Sequence, residues 1–250
     1  MKQQSLPALL ALIICVNTFC VCGQINIYAG FKGGICIPNL SAGSDNQNPL
    51  LNGYRSRTGG DFGVLATGQF NKWLALQFEI MYSQQGGKHN GLQAIANPIE
   101  PVPPYRYANF KNTAKLNYLQ FPLMARFDFN LQKNLNIYAN AGGFAAFLLS
   151  AKRVSSGNSY IYADEKGQQP VSPSAQSFDA KEDIKKSIHN FNAGVIGAIG
   201  LSYEMHFGKI FIECGGNYGF INIQRYLAEG TNYSGSATIH LGYLYPLQKI

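Results

Sequence analysis

The sequence predicts an all-β chain closed into an eight-stranded antiparallel up-and-down transmembrane β-barrel with four long extracellular loops. Three observations lead there: segments of period-two hydrophobicity, links that alternate between short and long, and an unusual composition. Charged residues make up only 13% of the 250-residue chain, about half the roughly 25% of soluble domains. Gly (27), Tyr (15) and Phe (16) are plentiful. Beyond Gln24 no apolar run approaches the roughly 18 residues that a membrane helix needs.

The alternation is clearest in Leu74 to Gln84, where Leu74, Leu76, Phe78, Ile80 and Tyr82 oppose Ala75, Gln77, Glu79, Met81 and Ser83. Leu119 to Phe129 repeats it, with Phe121, Leu123 and Phe127 against Gln120, Met124, Arg126 and Asp128. A helix does not hold period two for so long, and a membrane barrel turns one such face to lipid and the other to its lumen. Six further segments follow the rule: Ile25 to Ile37, Gly59 to Phe70, Leu135 to Ser150, Phe191 to Phe207, Ile210 to Tyr218 and Ala237 to Tyr245. Leu135 to Ser150 is rich in Ala and Gly on both faces, so its register stays open.

The links supply the topology. Asn71-Lys72, Gln132 to Asn134 and Gly208-Lys209 read as tight turns. Pro38 to Ser56, Gly87 to Thr113, Lys152 to His189 and Ile221 to Ser234 read as long loops. Short periplasmic turns and long outer loops are the habit of outer-membrane barrels. A structureless link as long as Lys152 to His189 would be unusual in a soluble sandwich. The start of the chain has an export layout: Lys2, an apolar stretch from Leu6 to Phe19, and small residues up to Gly23. The expectation is a signal peptide over residues 1–23, cleaved after Gly23, and a barrel domain over 24–250.

Removing Lys2 leaves 19 basic against 13 acidic residues. No Lys/Arg cluster with interleaved aromatics accompanies that excess, so nucleic acid is not an expected partner. Cys36 and Cys214 survive cleavage. Parity turns Cys36 inward and Cys214 toward lipid on strands that are not neighbours, so two free thiols are expected.

Lys115-Leu116-Asn117-Tyr118-Leu119-Gln120-Phe121-Pro122-Leu123 is similar to the Tyr-Leu-x-apolar-Pro strand of the PorT-like family of outer-membrane β-barrel proteins. Phe191 to Val195 through Gly200 to Glu204, and Ile212-Glu213 through Tyr218-Gly219, are similar to its Gly-rich strands. Gly30-Phe31-Lys32-Gly33-Gly34 and Tyr82 to Gly86 match in order as well. The resemblance implies a fold and a membrane but no catalytic residues, because the family is functionally mixed. The last strand, His240-x-Gly242-x-x-Tyr245-x-Leu247, resembles a barrel-assembly signal, which points to the assembly machinery as a partner during insertion.

An eight-stranded lumen is just wide enough for side chains to fill it. Lys32 and Arg126 are expected to pair there with Asp61, Glu79, Asp128, Glu204 and Glu213, as a structural charge network that plugs the bore. Gly194, Gly197 and Gly200 do not fit a nucleotide loop, and they read as close strand packing. His89, His189, His206 and His240 lack metal-ligand spacing, and no Gly-x-Ser-x-Gly element is present. Neither a metal, a cofactor nor a catalytic site is therefore expected. Function is left to the loops: a structural or surface-binding component, or else an accessory factor of a secretion or envelope-assembly complex. A surface hydrolase is the remaining alternative.

Overall fold

The computed structural model describes residues 25–40, 54–97, 105–225 and 231–249, so the predicted leader over 1–23 lies outside the described residues. Eight long strands follow one another: β1 (Asn26–Asn39), β2 (Gly59–Gln69), β3 (Leu74–Ala96), β4 (Tyr105–Gln132), β5 (Leu135–Ser156), β6 (Phe191–Met205), β7 (Gly208–Gly219) and β8 (Gly235–Lys249). Each pairs antiparallel with its chain neighbours, and β1 pairs with β8 from Asn26↔Lys249 to Asn39↔Gly235. The ring is closed, so within it no described strand is left with a wholly unpaired edge. Among the described residues no helix is long and apolar enough to cross a membrane.

The alternation has the predicted facing. Phe31, Ile35, Phe62, Val64, Ile199 and Leu241 stand exposed on the outside, while Lys32, Cys36, Asp61, Thr67, Ser202 and His240 are buried inside. An outer surface so apolar is untenable in water and ordinary against lipid. Near the turn end Phe70, Trp73, Phe129 and Phe207 are also exposed, forming an aromatic girdle of the kind that marks a membrane interface.

The turns show why these residues sit where they do. Asn71 Oδ1 accepts from the N–H groups of Trp73 (2.9 Å) and Leu74 (2.8 Å), holding the first turn with its own side chain. The third turn is His206-Phe207 rather than the predicted Gly208-Lys209, because Gly208 already opens β7 at φ +154°. The Tyr243 hydroxyl donates to Phe207 O at 2.6 Å, and a Cβ on Gly208 would collide with it. Inside the bore, Tyr138 lies across Gly200 and Phe211 across Gly242, each ring filling the space that a side chain on its cross-strand glycine would need. The glycine-rich strands thus serve packing, as expected.

Two segments differ from expectation. Gly87 to Thr113 reads as a loop, yet Lys88–Ala96 pairs with Tyr105–Thr113 and carries β3 and β4 on as a ribbon. β3, β4 and β5 have 23, 28 and 22 residues against 11 to 15 elsewhere, where about 9–11 suffice to span a bilayer. Lys152 to His189 is likewise built: Ala180–Asp183 pairs with β5, Ile161–Tyr162 with β4, and Asn158–Ser159 with Gln176–Ser177. At its tip Asp164 accepts from the N–H groups of Lys166, Gln168 and Gln169. Slight desolvation would raise its pKa, but these donors outweigh it and hold the carboxyl below its usual range. That contribution is present above the ordinary carboxylate pKa and fades as pH falls through the lowered one.

The open register of β5 also resolves. Asn136, Tyr138 and Asn140 face the lumen, and a bulge at Leu149 (Asn117↔Ser150, Tyr118↔Leu148) shifts parity so that Ala151 points inward above it. Cys36 is buried in the bore with its thiol 3.1 Å from Gln84 O, whereas Cys214 is exposed on the outer face, and both are free. β8 lies between their strands. Alkylation of the unfolded, unreduced protein should therefore label both Cys36 and Cys214, and a bridge between the two would contradict this strand order.

Candidate functional site

The barrel interior is layered, and its centre is a continuous chain of polar side chains. Lys32 Nζ on β1 lies 2.8 Å from Glu79 Oε1 on β3 and 2.6 Å from Glu213 Oε1 on β7. Gln77 Nε2 donates to Glu79 Oε1 at 2.5 Å, and Gln77 Oε1 accepts from Arg126 at 3.4 Å. Arg126 reaches Asp128 at 3.0 Å and lays its guanidinium 3.6 Å from the centre of the Tyr138 ring. The Tyr138 hydroxyl donates to Glu213 Oε2 at 3.0 Å, which closes the chain into a loop. Seven strands contribute once Asp61 and His240 are added; the Lys32 and Tyr138 contacts reach past a neighbouring strand, while Gln77–Glu79 and Arg126–Asp128 run along one.

Of the predicted set, Lys32, Asp61, Glu79, Arg126 and Glu213 come together in the bore, with Asp128 at its turn-end rim. Glu204 does not join them. It sits at the exposed end of β6, 3.6 Å from Lys209, because the strand leaves the membrane there and inward parity no longer means burial. His240 has no metal-ligand spacing in the sequence, yet it lies 3.3 Å from both Asp61 and Glu213. Its inward parity on β8 was the signal that could have placed it. Counting His240 as a cation balances three buried bases against three buried acids, the arrangement that burial of charge demands. Among the described residues no cluster has the makings of a metal site.

Within this layer the residual void is about 20 Å³, room for a single water and no pathway. Toward the turns Leu65, Tyr138, Phe211 and Leu244 pack together. Toward the loops the lining becomes apolar, with Leu40, Leu116, Tyr118, Phe144, Leu148, Ile188 and Ile223 in one cluster. Above that floor the extended β3–β5 wall encloses a chamber of about 710 Å³. Phe178 stacks on Phe110 in its wall at 4.6 Å. Burial raises the pKa of Tyr54 there, with the charge and hydrogen bond of Arg153 acting in the opposite sense.

The chain matches the family described as "Outer membrane protein beta-barrel domain" over residues 17–225. It belongs to that family. Membership places it in the outer membrane of a Gram-negative cell, in keeping with the closed ring and its apolar exterior. No curated protein matches it in sequence. Similar solved structures include the attachment invasion locus protein Ail of Yersinia pestis, determined with the heparin analogue sucrose octasulfate. It is 10% identical at TM-score 0.38, with 89% of this chain and 99% of that one covered. Neisserial surface protein A is 13% identical at TM-score 0.36, covering 86% and 95%. The outer membrane protease OmpT of Escherichia coli is 8% identical at TM-score 0.31, covering 89% and 97%. These are likenesses of fold alone.

Proposed function

We propose that the protein is a non-catalytic outer-membrane component with a plugged lumen that binds through its loop end. The observation that carries the reading is the layering of the interior. The charge network spans the bore from β1 to β3 and β7 and leaves about 20 Å³, while the loop end opens into a chamber thirty-fold larger or more. Binding sites concentrate where loops rest on a rigid scaffold. The buried carboxylates that could do acid–base work are committed to the network and face no substrate-sized space. Export through a leader over residues 1–23, cleaved after Gly23, and insertion by the assembly machinery into outer-membrane lipid complete the proposal.

Purified protein in planar bilayers should give no stepwise conductance, and reproducible steps would refute a plugged lumen. The extended wall and its loops should face outward. An epitope inserted at Gly167, in the turn after Asp164, should be reached by antibody on intact cells, and one at Lys72 only after the outer membrane is breached. The reverse pattern would invert the topology. For binding itself, cross-linking on intact cells should recover a partner with the parent protein and not with a variant whose residues 158–177 are replaced by Gly and Ser. Equal recovery would sink the surface-binding reading.

The ordered motifs from Lys115 to Leu123 and from Phe191 to Gly219 favour a second reading, a PorT-like accessory factor of a secretion or envelope-assembly complex. In that case the recovered partner is an envelope protein rather than something from outside the cell.

A further inference from the structure

The loop-end chamber has the size and lining of a site for a small molecule rather than of a passage. At about 710 Å³ it falls within the roughly 300–1,000 Å³ of ligand pockets. Its floor is apolar, from Leu40, Leu116, Ile188 and Ile223, and would hold an organic body better than water. The same floor seals the chamber from the bore, so an occupant is retained and not conducted.

Three polar atoms in this lining are buried without a hydrogen-bond partner among the described residues: Asn112 Oδ1, Asn232 Oδ1 and Arg153 Nε. Asn232 is only 7% exposed. Buried polar atoms left unpaired are costly, and here they converge from β4, β5 and the segment before β8 on one cavity. Two of the three are oxygens, so the molecule that satisfies them carries N–H or O–H donors. The charge balance argues against an anion. Among the described residues Arg153 is the one cation of the lining, with Glu182 3.7 Å away, and Asp179 adds a second carboxylate, tied to Gly157 N at 3.0 Å.

We propose that the chamber binds a small amphipathic molecule, uncharged or singly cationic, whose apolar body lies on the floor and whose N–H or O–H donors meet Asn112 and Asn232. This rests on the surface-binding reading above and names its ligand class. The test uses the full chain in lipid nanodiscs with isoleucine methyl groups labelled for NMR. The probes are tryptamine, indole and indole-3-acetate, which share one apolar ring system and differ in charge. Tryptamine and indole should give saturable shifts at Ile188 and Ile223, with indole-3-acetate at least about tenfold weaker than tryptamine. Asn232→Leu, which keeps the branched outline and removes the acceptor, should weaken tryptamine about tenfold. Ala114→Trp should obstruct the floor of the chamber and weaken binding. If that larger change disturbs folding, Asn232→Leu decides alone.

Shifts confined to the lipid-facing Ile199, Ile212 and Ile239 would mean partition into the bilayer and overturn the inference. So would an anion that binds as well as tryptamine, or parental affinity in Asn232→Leu. Failure of all three probes while the 158–177 variant still loses its cross-linked partner overturns the ligand class alone. Failure of both experiments overturns the surface-binding reading as well.

Discussion

Lys32→Ala should destabilise the barrel by about 3–5 kcal/mol, the usual penalty for removing one partner of a buried ion pair. Among the described residues Lys32 is the one cation that touches both Glu79 and Glu213, so its loss leaves two buried carboxylates without the charge they share. The triple variant Lys32→Met, Glu79→Gln, Glu213→Gln removes the charges while keeping the volumes, and it should recover most of the loss. Urea titration in lipid vesicles reads both, with the mobility difference between unboiled and boiled protein on a detergent gel as an independent measure of folding. A single variant as stable as the parent would show that the network does not brace the ring. A triple variant as unstable as the single one would assign the effect to packing instead of charge.

Leu241→Arg should cost about 2–4 kcal/mol, the depth-dependent penalty for a cation on the lipid face at mid-membrane. Leu241 is 65% exposed and lies at the middle of β8 between Gly33 and Ile212. Leu247, also exposed but near the turn end, provides the control, and arginine there should cost about 0–1 kcal/mol. Equal effects at the two positions would mean that the apolar band is misplaced along the strand.

These expectations rest on features that differ in how plainly the sequence displays them. The membrane-spanning parts of β1 to β4 and β6 to β8 were legible because lipid on one side and a polar bore on the other force an alternation as clear as Leu76-Gln77-Phe78-Glu79-Ile80. β5 was obscure because Ala139 to Ala146 places small residues on both faces, and because the bulge at Leu149 reverses parity midway. The upper halves of β3 and β4 were missed for another reason. Beyond the membrane the outer face meets water, with Lys111 and Lys115 exposed, while the inner face turns apolar at Phe110, Ala114 and Leu116. The hydrophobic pattern inverts there, and together with the prolines around Pro98 to Pro104 it reads as a loop.

The charge network was legible as a set of inward-facing charges, but its members could not be ranked. Glu204 has the same parity as Ser202 and differs only in height, which a one-dimensional pattern does not record. Gln77 and Tyr138 carry the links from Arg126 to Glu79 and Glu213. Neither is charged, so neither stood out. The unpartnered chamber atoms at Asn112, Arg153 and Asn232 come from segments far apart in the chain, and only the folded ring brings them to one cavity.

The β1–β8 pairing has a consequence for the order in which the molecule assembles. In the β3–β4 ribbon Ala96 pairs with Tyr105, close to it in the chain, and a ladder so local can zip from that end. β1 and β8 meet only after nearly the whole chain has been laid down between them. Closing so long a span adds little extra entropy per residue, but it makes the contact the most non-local in the protein and therefore a late one. Until that moment both strands present bare edges, Lys32 already beside Glu79 and Glu213 not yet within reach. A growing sheet in this state is open on two sides and prone to pair with anything else that is extended. The salt bridge that spans the bore then acts as a latch: it can be completed only when the last seam shuts in register, so a slipped closure leaves a buried charge unmatched and is reversible.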